Sequence, residues 1–273
     1  TYDALHDVPM LESLHGVRQL MPLSHTLPPA ARTNCFLIGD KAARKVMVDP
    51  SPRDADELAK LLHVANKFGV DAILLTHHHG DHHEYAPDIA HRYKLPLMMS
   101  EDTHQRLTRI KADYFLGLDI KILHEGDVVT TWLGHPVKVF AVPGHDEGQL
   151  ALAPDNMAWF LAGDLFQGVG TVVIGGDEGD MAKYMQTLEK VIALNPRVVF
   201  PSHGIGLGGT RILEKTLEHR KLREQQVLEL IGKGRGEKEI LDELYSDIPL
   251  ALMPYALLNI QSHLRKLKQD GLL

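Results

Sequence analysis

The chain has 273 residues, 44% of them hydrophobic and 24% charged, which excludes a disordered, fibrous or membrane-spanning protein and leaves room for one large domain with a small companion. A formal charge of −7, from 29 Lys and Arg against 36 Asp and Glu, excludes a binder that coats nucleic acid with a wholly basic surface. The one cysteine, Cys35, cannot close a disulfide within the chain, and no apolar run approaches the roughly 18 residues that a bilayer span needs. Residues 1–10 lack the basic and apolar stretches of a secretory leader, so a cytoplasmic setting without membrane attachment is expected.

Short β-branched runs predict strands at Val17–Leu23, Cys35–Ile38, Lys45–Val48, Ala72–Leu75, Leu97–Met99, Val137–Val142, Gln149–Leu152, Ala158–Leu161 and Val198–Phe200. Between the third and fourth, Ser51-Pro52-Arg53-Asp54 reads as a helix cap with Pro at the first helical position. The apolar stripe Leu58, Leu61, Leu62, Ala65 follows, and Gly69 ends the helix. A second amphipathic helix runs from Asp180 to Leu194 and stops at Asn195-Pro196. Near Thr210 the texture changes. Arg211–Ile231, Glu237–Tyr245 and Pro254–Gln269 read as helices, broken at Gly232–Gly236 and Ile248-Pro249, and no strand signal follows Phe200. The expected organisation is an α/β domain over residues 1–210 and a small helical domain over 211–273. The tail holds 11 basic and 10 acidic residues, a net of +1, which leaves −8 for the first 210.

Seventeen histidines are unusual, and five of them fall between His77 and His83. The strand Ala72–Leu75 leads into Thr76-His77-His78-His79-Gly80-Asp81-His82-His83. Period-two geometry at a strand end sends His77 and His79 to one side, and Gly80 permits a reversal that returns Asp81 and His82 to the same point. Neutral imidazole and carboxylate suit Zn²⁺, and also Fe or Mn. An exposed loop that binds metal only adventitiously is the alternative at this point. Three later segments, Val142-Pro143-Gly144-His145, Phe160-Leu161-Ala162-Gly163-Asp164 and Phe200-Pro201-Ser202-His203-Gly204, each follow an apolar run and deliver one His or Asp at a strand end. Strand ends are where α/β folds gather their sites.

The ordered pattern His-x-His-x-Asp-His, Gly-His, Gly-Asp, Gly-His resembles the metallo-β-lactamase superfamily over the first 210 residues. Within it the chain is most similar to lactamase-B-like hydrolases with a C-terminal winged-helix domain, a group that includes endoribonucleases. The supporting stretches are Thr33–Gly39, Val48-Asp49-Pro50, Glu218-His219-Arg220 with Arg223-Glu224, and His263–Leu267 before Gly271-Leu272-Leu273. The resemblance implies an αββα sandwich with two metals, most simply zinc, in a cleft at its edge. It gives His77, His79 and His145 to one metal, Asp81, His82 and His203 to the other, and makes Asp164 the bridge. It further implies hydrolysis with a hydroxide held between the metals as nucleophile, and Asp81 as proton carrier. Position 79 is His where di-iron oxygen-reducing relatives carry Glu, and position 164 is Asp where many antibiotic-hydrolysing lactamases carry Cys. A second site with its full ligand set also argues against single-iron persulfide dioxygenases. These departures favour hydrolysis over redox chemistry.

Other residues read more plainly. His78 and His83 flank the ligands as supporting or solvent-facing groups, and Cys35 is a small buried hydrophobe. Asn34 either touches the cleft or caps a turn. Gly175–Asp180 is an acidic loop ending in a helix cap. Gly204–Gly209 lacks the Lys-Ser/Thr of a nucleotide-binding loop.

The leading expectation for the substrate is single-stranded RNA, with phosphate contacts from Arg220, Arg223, Arg265, Lys266 and Lys268, against which stands the −8 of the catalytic portion. The alternative is a small-molecule ester or thioester, and a third class is a non-catalytic nucleic-acid-binding regulator. The tail carries no candidate ligand, so its removal is expected to spare metal binding. For the tail, homodimer formation or covering of the cleft is an equal alternative to RNA contact.

Overall fold

In the computed structural model of the chain, residues 10–14, 16–168 and 170–273 are described. The start of the expected 1–210 domain, and all but Met10 of the stretch read as leaderless, lie outside the described residues. The first half runs through β1 (Met10–Leu14), β2 (Val17–Leu20), β3 (Cys35–Ile38), β4 (Val46–Val48), α1 (Ala55–Phe68), β5 (Ala72–Leu74), α2 (Gly80–His83), α3 (Ala86–Tyr93), β6 (Leu97–Met99), α4 (Glu101–Ile110) and β7 (Ile120–Ile122). After these come β8 (Val128–Trp132), β9 (His135–Ala141), β10 (Leu150–Pro154), β11 (Phe160–Leu161), α5 (Met181–Leu194), β12 (Val198–Phe200) and β13 (Leu207–Gly208). The tail is α6 (Arg211–Gly232), α7 (Glu237–Leu244) and α8 (Met253–Gln269).

Strands β1 to β7 form one sheet in chain order, antiparallel as far as β4 and parallel from there on. The second sheet has the order β13-β12-β11-β10-β9-β8. Alternation along each strand sorts its side chains between two cores. Phe36, Ile38, Val46, Val48, Ala72 and Leu74 of the first sheet face Val137, Val139, Leu150, Leu152, Leu161 and Phe200 of the second. Their neighbours Cys35, Leu37, Met47, Ile73 and Leu75 point the other way, onto α1, α3 and α4. Ala151, Ala153, Phe160 and Val199 likewise meet α5 and the start of α6. This is the αββα sandwich expected from the sequence. Cys35 is fully buried, and burial, then the charge of Asp49, pushes its thiol pKa well up, so it serves as a packed hydrophobe.

Several boundaries differ from the sequence reading. The run Val17–Leu23 leaves the ladder after Leu20, since Pro22 has no N–H to offer it. The first helix is capped by Asp54, whose carboxylate accepts from Glu57 N at 2.9 Å. Ser51, the cap expected from the sequence, is taken elsewhere: its hydroxyl donates to Gly80 O at 3.0 Å and so ties the end of β4 to the histidine loop. Strand β13 overturns the expectation of no strand after Phe200. It pairs with β12 through backbone alone and needs no side-chain pattern. The three tail helices stand close to where the sequence put them. Helix α6 serves two cores, because Leu213 packs under α5 while Val227 and Leu230 join α7 and α8 in a separate cluster.

Because α1 is held by both its cap and its buried face, Asp54→Ala is expected to lower stability by about 1 kcal/mol, read from the urea midpoint, with metal content unchanged.

Candidate metal centre

All seven candidate ligands stand at the same edge of the sandwich, on the ends of β5, β9, β11 and β12. His77 and His79 follow β5, and His79 is the N-cap residue of the single-turn helix α2, which carries Asp81 and His82. The reversal at Gly80 expected from the sequence is made without a left-handed residue. The turn is helical, closed by His82 N donating to His79 O at 2.9 Å. His145 follows β9 behind Gly144, which has φ 128° and lies against Tyr184 so closely that a Cβ would stand 2.3 Å from that residue's Cα. Only glycine fits there, and α5 thereby presses the His145 loop into the cleft. Asp164 sits in the 3-10 turn Gly163–Leu165 after β11. His203 follows β12, where Asn34 donates through Nδ2 to both Pro201 O and Gly204 O at 2.7 Å. Of the two sequence readings of Asn34, the structural one holds: it braces the His203 loop.

The rings present bare nitrogens to common points because their other nitrogens are occupied. Thr76 Oγ1 donates to Asp49 Oδ2 at 2.6 Å and therefore accepts from His77 Nδ1 at 3.0 Å. His82 Nδ1 donates to the same Asp49 oxygen at 2.8 Å, His145 Nδ1 to Val173 O at 2.8 Å, and His203 Nδ1 to Arg32 O at 2.9 Å. His79 is turned the other way, with Nε2 3.4 Å from Glu178 Oε1. These partners assign the tautomers. What remains is His77 Nε2 and His145 Nε2 each 3.0 Å from His79 Nδ1, three lone pairs aimed at one spot. Next to it, Asp81, His82 and His203 offer ligand atoms within 4.8 Å of one another. Asp164 reaches both groups, with Oδ2 3.5 Å from His145 Nε2 and Oδ1 3.6 Å from His82 Nε2 and 3.5 Å from His203 Nε2.

Whether metals fit is decided by this donor set. His82 Nε2 and Asp164 Oδ1 are buried without a hydrogen-bond partner, a costly arrangement unless a cation takes both. Burial, then the charges on His82 and His79, pushes His77 well below the usual imidazole range. Burial and His79 push His145 down to about 4. Both are thus neutral and able to donate a lone pair. Burial also opposes a charge on His82, yet Asp81, Asp49 and Asp164 raise it to about 10. The carboxylates demand positive charge at this place, which a dication supplies. The donor set fits metal binding.

Three contributors were not singled out as functional by sequence reasoning. Asp49 receives His82, Thr76 N and Thr76 Oγ1 together, whereas in the sequence Val48-Asp49-Pro50 served only as a stretch supporting the resemblance. Asp146 is fully buried and pairs with His78. Glu178, in the acidic loop, lines the cleft and stands 3.8 Å from Arg106 Nη1. The cleft itself encloses about 310 Å³ between Thr26-Leu27, Val173, Glu178 and, from α8, Tyr255 and Leu258. Helix α8 therefore lines one side of the cleft. Of the basic residues assigned to RNA, Arg220 is 1% exposed and Arg223, half-buried, donates to Leu244 O and stacks on Tyr245, whereas Arg265 and Lys268 are exposed. Lys266 binds Glu224 and Asp270.

Such a paired histidine and aspartate cluster at the edge of an αββα sandwich defines a class of metal-dependent hydrolases. The chain belongs to the metallo-β-lactamase superfamily, whose sequence pattern matches residues 29–203, while that of the beta-lactamase-associated winged helix domain matches 237–273. A Drosophila melanogaster protein called beta-lactamase-like protein 2 homolog is 30% identical over 258 residues, covering 88% of this chain and 83% of its own length. An atrochrysone carboxyl ACP thioesterase of Pseudocercospora fijiensis is 25% identical over 255 residues, covering 88% and 70%. The crystal structure of a beta-lactamase domain protein from Burkholderia ambifaria superposes with a TM-score of 0.83 at 21% identity, covering 99% of this chain and 90% of that one, and shares the fold. No helix among the described residues is long and apolar enough to cross a membrane.

Asp49→Asn replaces the acceptor of His82 Nδ1 and leaves all seven candidate ligands in place, so zinc affinity is expected to fall by about 10- to 100-fold in a competitive titration, with unchanged circular dichroism.

His83 lies beside the cluster with Nδ1 2.6 Å from the Tyr114 hydroxyl, and burial, followed by the charge on His82, pushes its pKa from 6.5 down to about 4. Below pH 6.5 the unfolded chain takes up a proton that the folded state refuses, so the stability contributed here is complete above 6.5 and is lost as pH falls toward 4. Urea midpoints at pH 7 and pH 5 should therefore differ less in His83→Gln than in the parent protein.

Proposed function

We propose that the protein is a dinuclear zinc hydrolase of acyl thioesters or related small esters, with His77, His79 and His145 on one ion, Asp81, His82 and His203 on the other, and Asp164 bridging. When bound, the ions would supply Lewis acidity and a water acidified toward neutral pH. The chain's own residues do the rest. Asp164 places one oxygen toward each trio and offsets the repulsion between two dications. Asp81 lines the cleft, with its carboxylate reached by His203 at 3.5 Å and by the Thr33 hydroxyl at 3.5 Å, and is placed to carry the proton released on attack. Leu27, Val173 and Leu258 offer apolar wall to an acyl chain, and α8 closes that side against water.

One observation carries the choice of substrate. Among the described residues lining the cleft there is no Lys or Arg, whereas binding an RNA strand draws on phosphate neutralisation. Relatives named as acyl-carrier thioesterases agree with the small-molecule reading. The division into residues 1–210 and 211–273 is part of this proposal, with the second segment acting as the cover. A reducing cytoplasmic compartment suits its single buried thiol.

Elemental analysis is expected to find two zinc ions per chain. The loaded protein should hydrolyse a panel of acyl thioesters, lose that activity on exhaustive chelation, and leave unstructured RNA intact at low salt. His79→Ala should lower turnover by several orders of magnitude without unfolding the chain. Rapid RNA cleavage beside negligible thioester turnover would reverse the assignment.

A further inference from the structure

His145 meets the protein interior through Nδ1, which lies 2.8 Å from Val173 O. Val173 belongs to the segment 170–180, which has neither helix nor strand, so no ladder fixes that carbonyl. The tail fixes it. Arg220, on α6, donates through Nη2 to Val172 O at 2.5 Å and through Nη1 to Asn259 Oδ1 at 3.3 Å. That same Oδ1, on α8, accepts from Ile174 N at 2.9 Å. The residues on both sides of Val173 are thus held by two side chains that hold one another. Farther along, Met181 N donates to Ser262 Oγ at 3.2 Å and Arg265 donates to Gly179 O at 3.2 Å. Gly175 lies so near α8 that a Cβ would stand 2.5 Å from Leu258 Cβ.

Arg220 is an expensive choice for mere packing. Its guanidinium is buried, with a carbonyl, an amide oxygen and the Tyr184 ring for company, and a hydrophobic side chain would avoid the desolvation cost. What the planar fork adds is two donors at a fixed spacing, which locks a carbonyl of one segment to a side chain of another.

We propose that Arg220 and Asn259 are positioning residues for His145. By holding Val172 and Ile174 they set the Val173 carbonyl, which in turn sets the tautomer and ring direction of His145. On this proposal the tail carries no ligand but aims one, and its removal is expected to weaken metal binding instead of sparing it. This inference rests on the reading of His77, His79 and His145 as ligands of one ion.

The test is zinc titration of the full chain against a chromophoric chelator, with zinc alone as the probe and thermal melting in parallel. Asn259→Leu is expected to weaken one of two zinc-binding steps by about 10- to 100-fold and leave the other in place. His145→Ala should remove that same step. Asn259→Asp keeps an oxygen for Ile174 N and Arg220 and should restore it. Leu264→Ala cuts into the tail's own core and should lower Tm while sparing both steps. If Asn259→Leu does not fold, Arg220→Lys, which keeps the charge but loses the fork, is expected to show the same selective loss. The proposal is overturned if a folded clamp variant binds zinc like the parent, or if Leu264→Ala loses the same step at an equal fall in Tm. Unchanged zinc binding in His145→Ala would instead remove the metal-centre reading, and this inference with it.

Discussion

Two imidazole nitrogens, His77 Nε2 and His145 Nε2, each stand 3.0 Å from a third, His79 Nδ1, and the three can serve one cation only if each keeps its lone pair bare. That demand propagates outward. Each ring must give its only proton to an acceptor on the far side, or the tautomer is wrong and the site collapses into ordinary hydrogen bonds. Thr76 with Asp49, Glu178, Val173 O and Arg32 O are those acceptors. Most of the structure around the cleft serves to hold them still. The parallel strands β4 and β5 bring Asp49 beside Thr76, and that register gives one carboxylate to two rings. Where the acceptor sits on irregular chain, as Val173 does, other side chains must stand in for a ladder.

The candidate ligands were legible as a set because each of their four loops follows an apolar run, and a buried strand ends in an abrupt change of polarity. Their partners were less so. Asp49 stands in a Val-Asp-Pro turn that physics would accept without any site nearby, and Glu178 hides in a flexible-looking acidic loop. The sandwich was legible from alternation, which separates Phe36 and Ile38 from Cys35 and Leu37. Ile120–Ile122 is too short to carry a period, and β13 is made by backbone pairing alone. The cap at Asp54 was misplaced because Ser51 satisfies the same local rule, and only the histidine loop, distant in sequence, takes the Ser51 hydroxyl and leaves the cap to the Asp54 carboxylate.

The tail makes the converse point about charge. Its helices are dense in Arg, Lys and Glu, a texture that ordinarily means a solvated face or a phosphate-binding one. In the folded chain Arg220 and Arg223 donate to backbone carbonyls, and Lys266 closes a small ion-pair network with Glu224 and Asp270. Much of the charge that could have met a nucleic acid is engaged within the chain, while Arg265 and Lys268 stay exposed, and the cleft that α8 lines has no Lys or Arg among its described lining residues.

That arrangement also explains how a helical segment outside the sandwich bears on chemistry inside it. A cover that only rested on the cleft would touch it with apolar side chains, as Tyr255 and Leu258 do. Such contacts exclude water but impose no direction on the groups below. Hydrogen bonds to the backbone at residues 172, 174, 179 and 181 impose direction, because each fixes a peptide plane and not merely a distance. One of the peptide planes so fixed carries the carbonyl that holds His145. The same contacts that seat the cover therefore complete the ligand geometry. If the tail positions His145 as proposed, a substrate that needs α8 to move would loosen His145 as it enters, whereas one that fits beside α8 would meet the centre already aligned, in keeping with the proposed small acyl substrate.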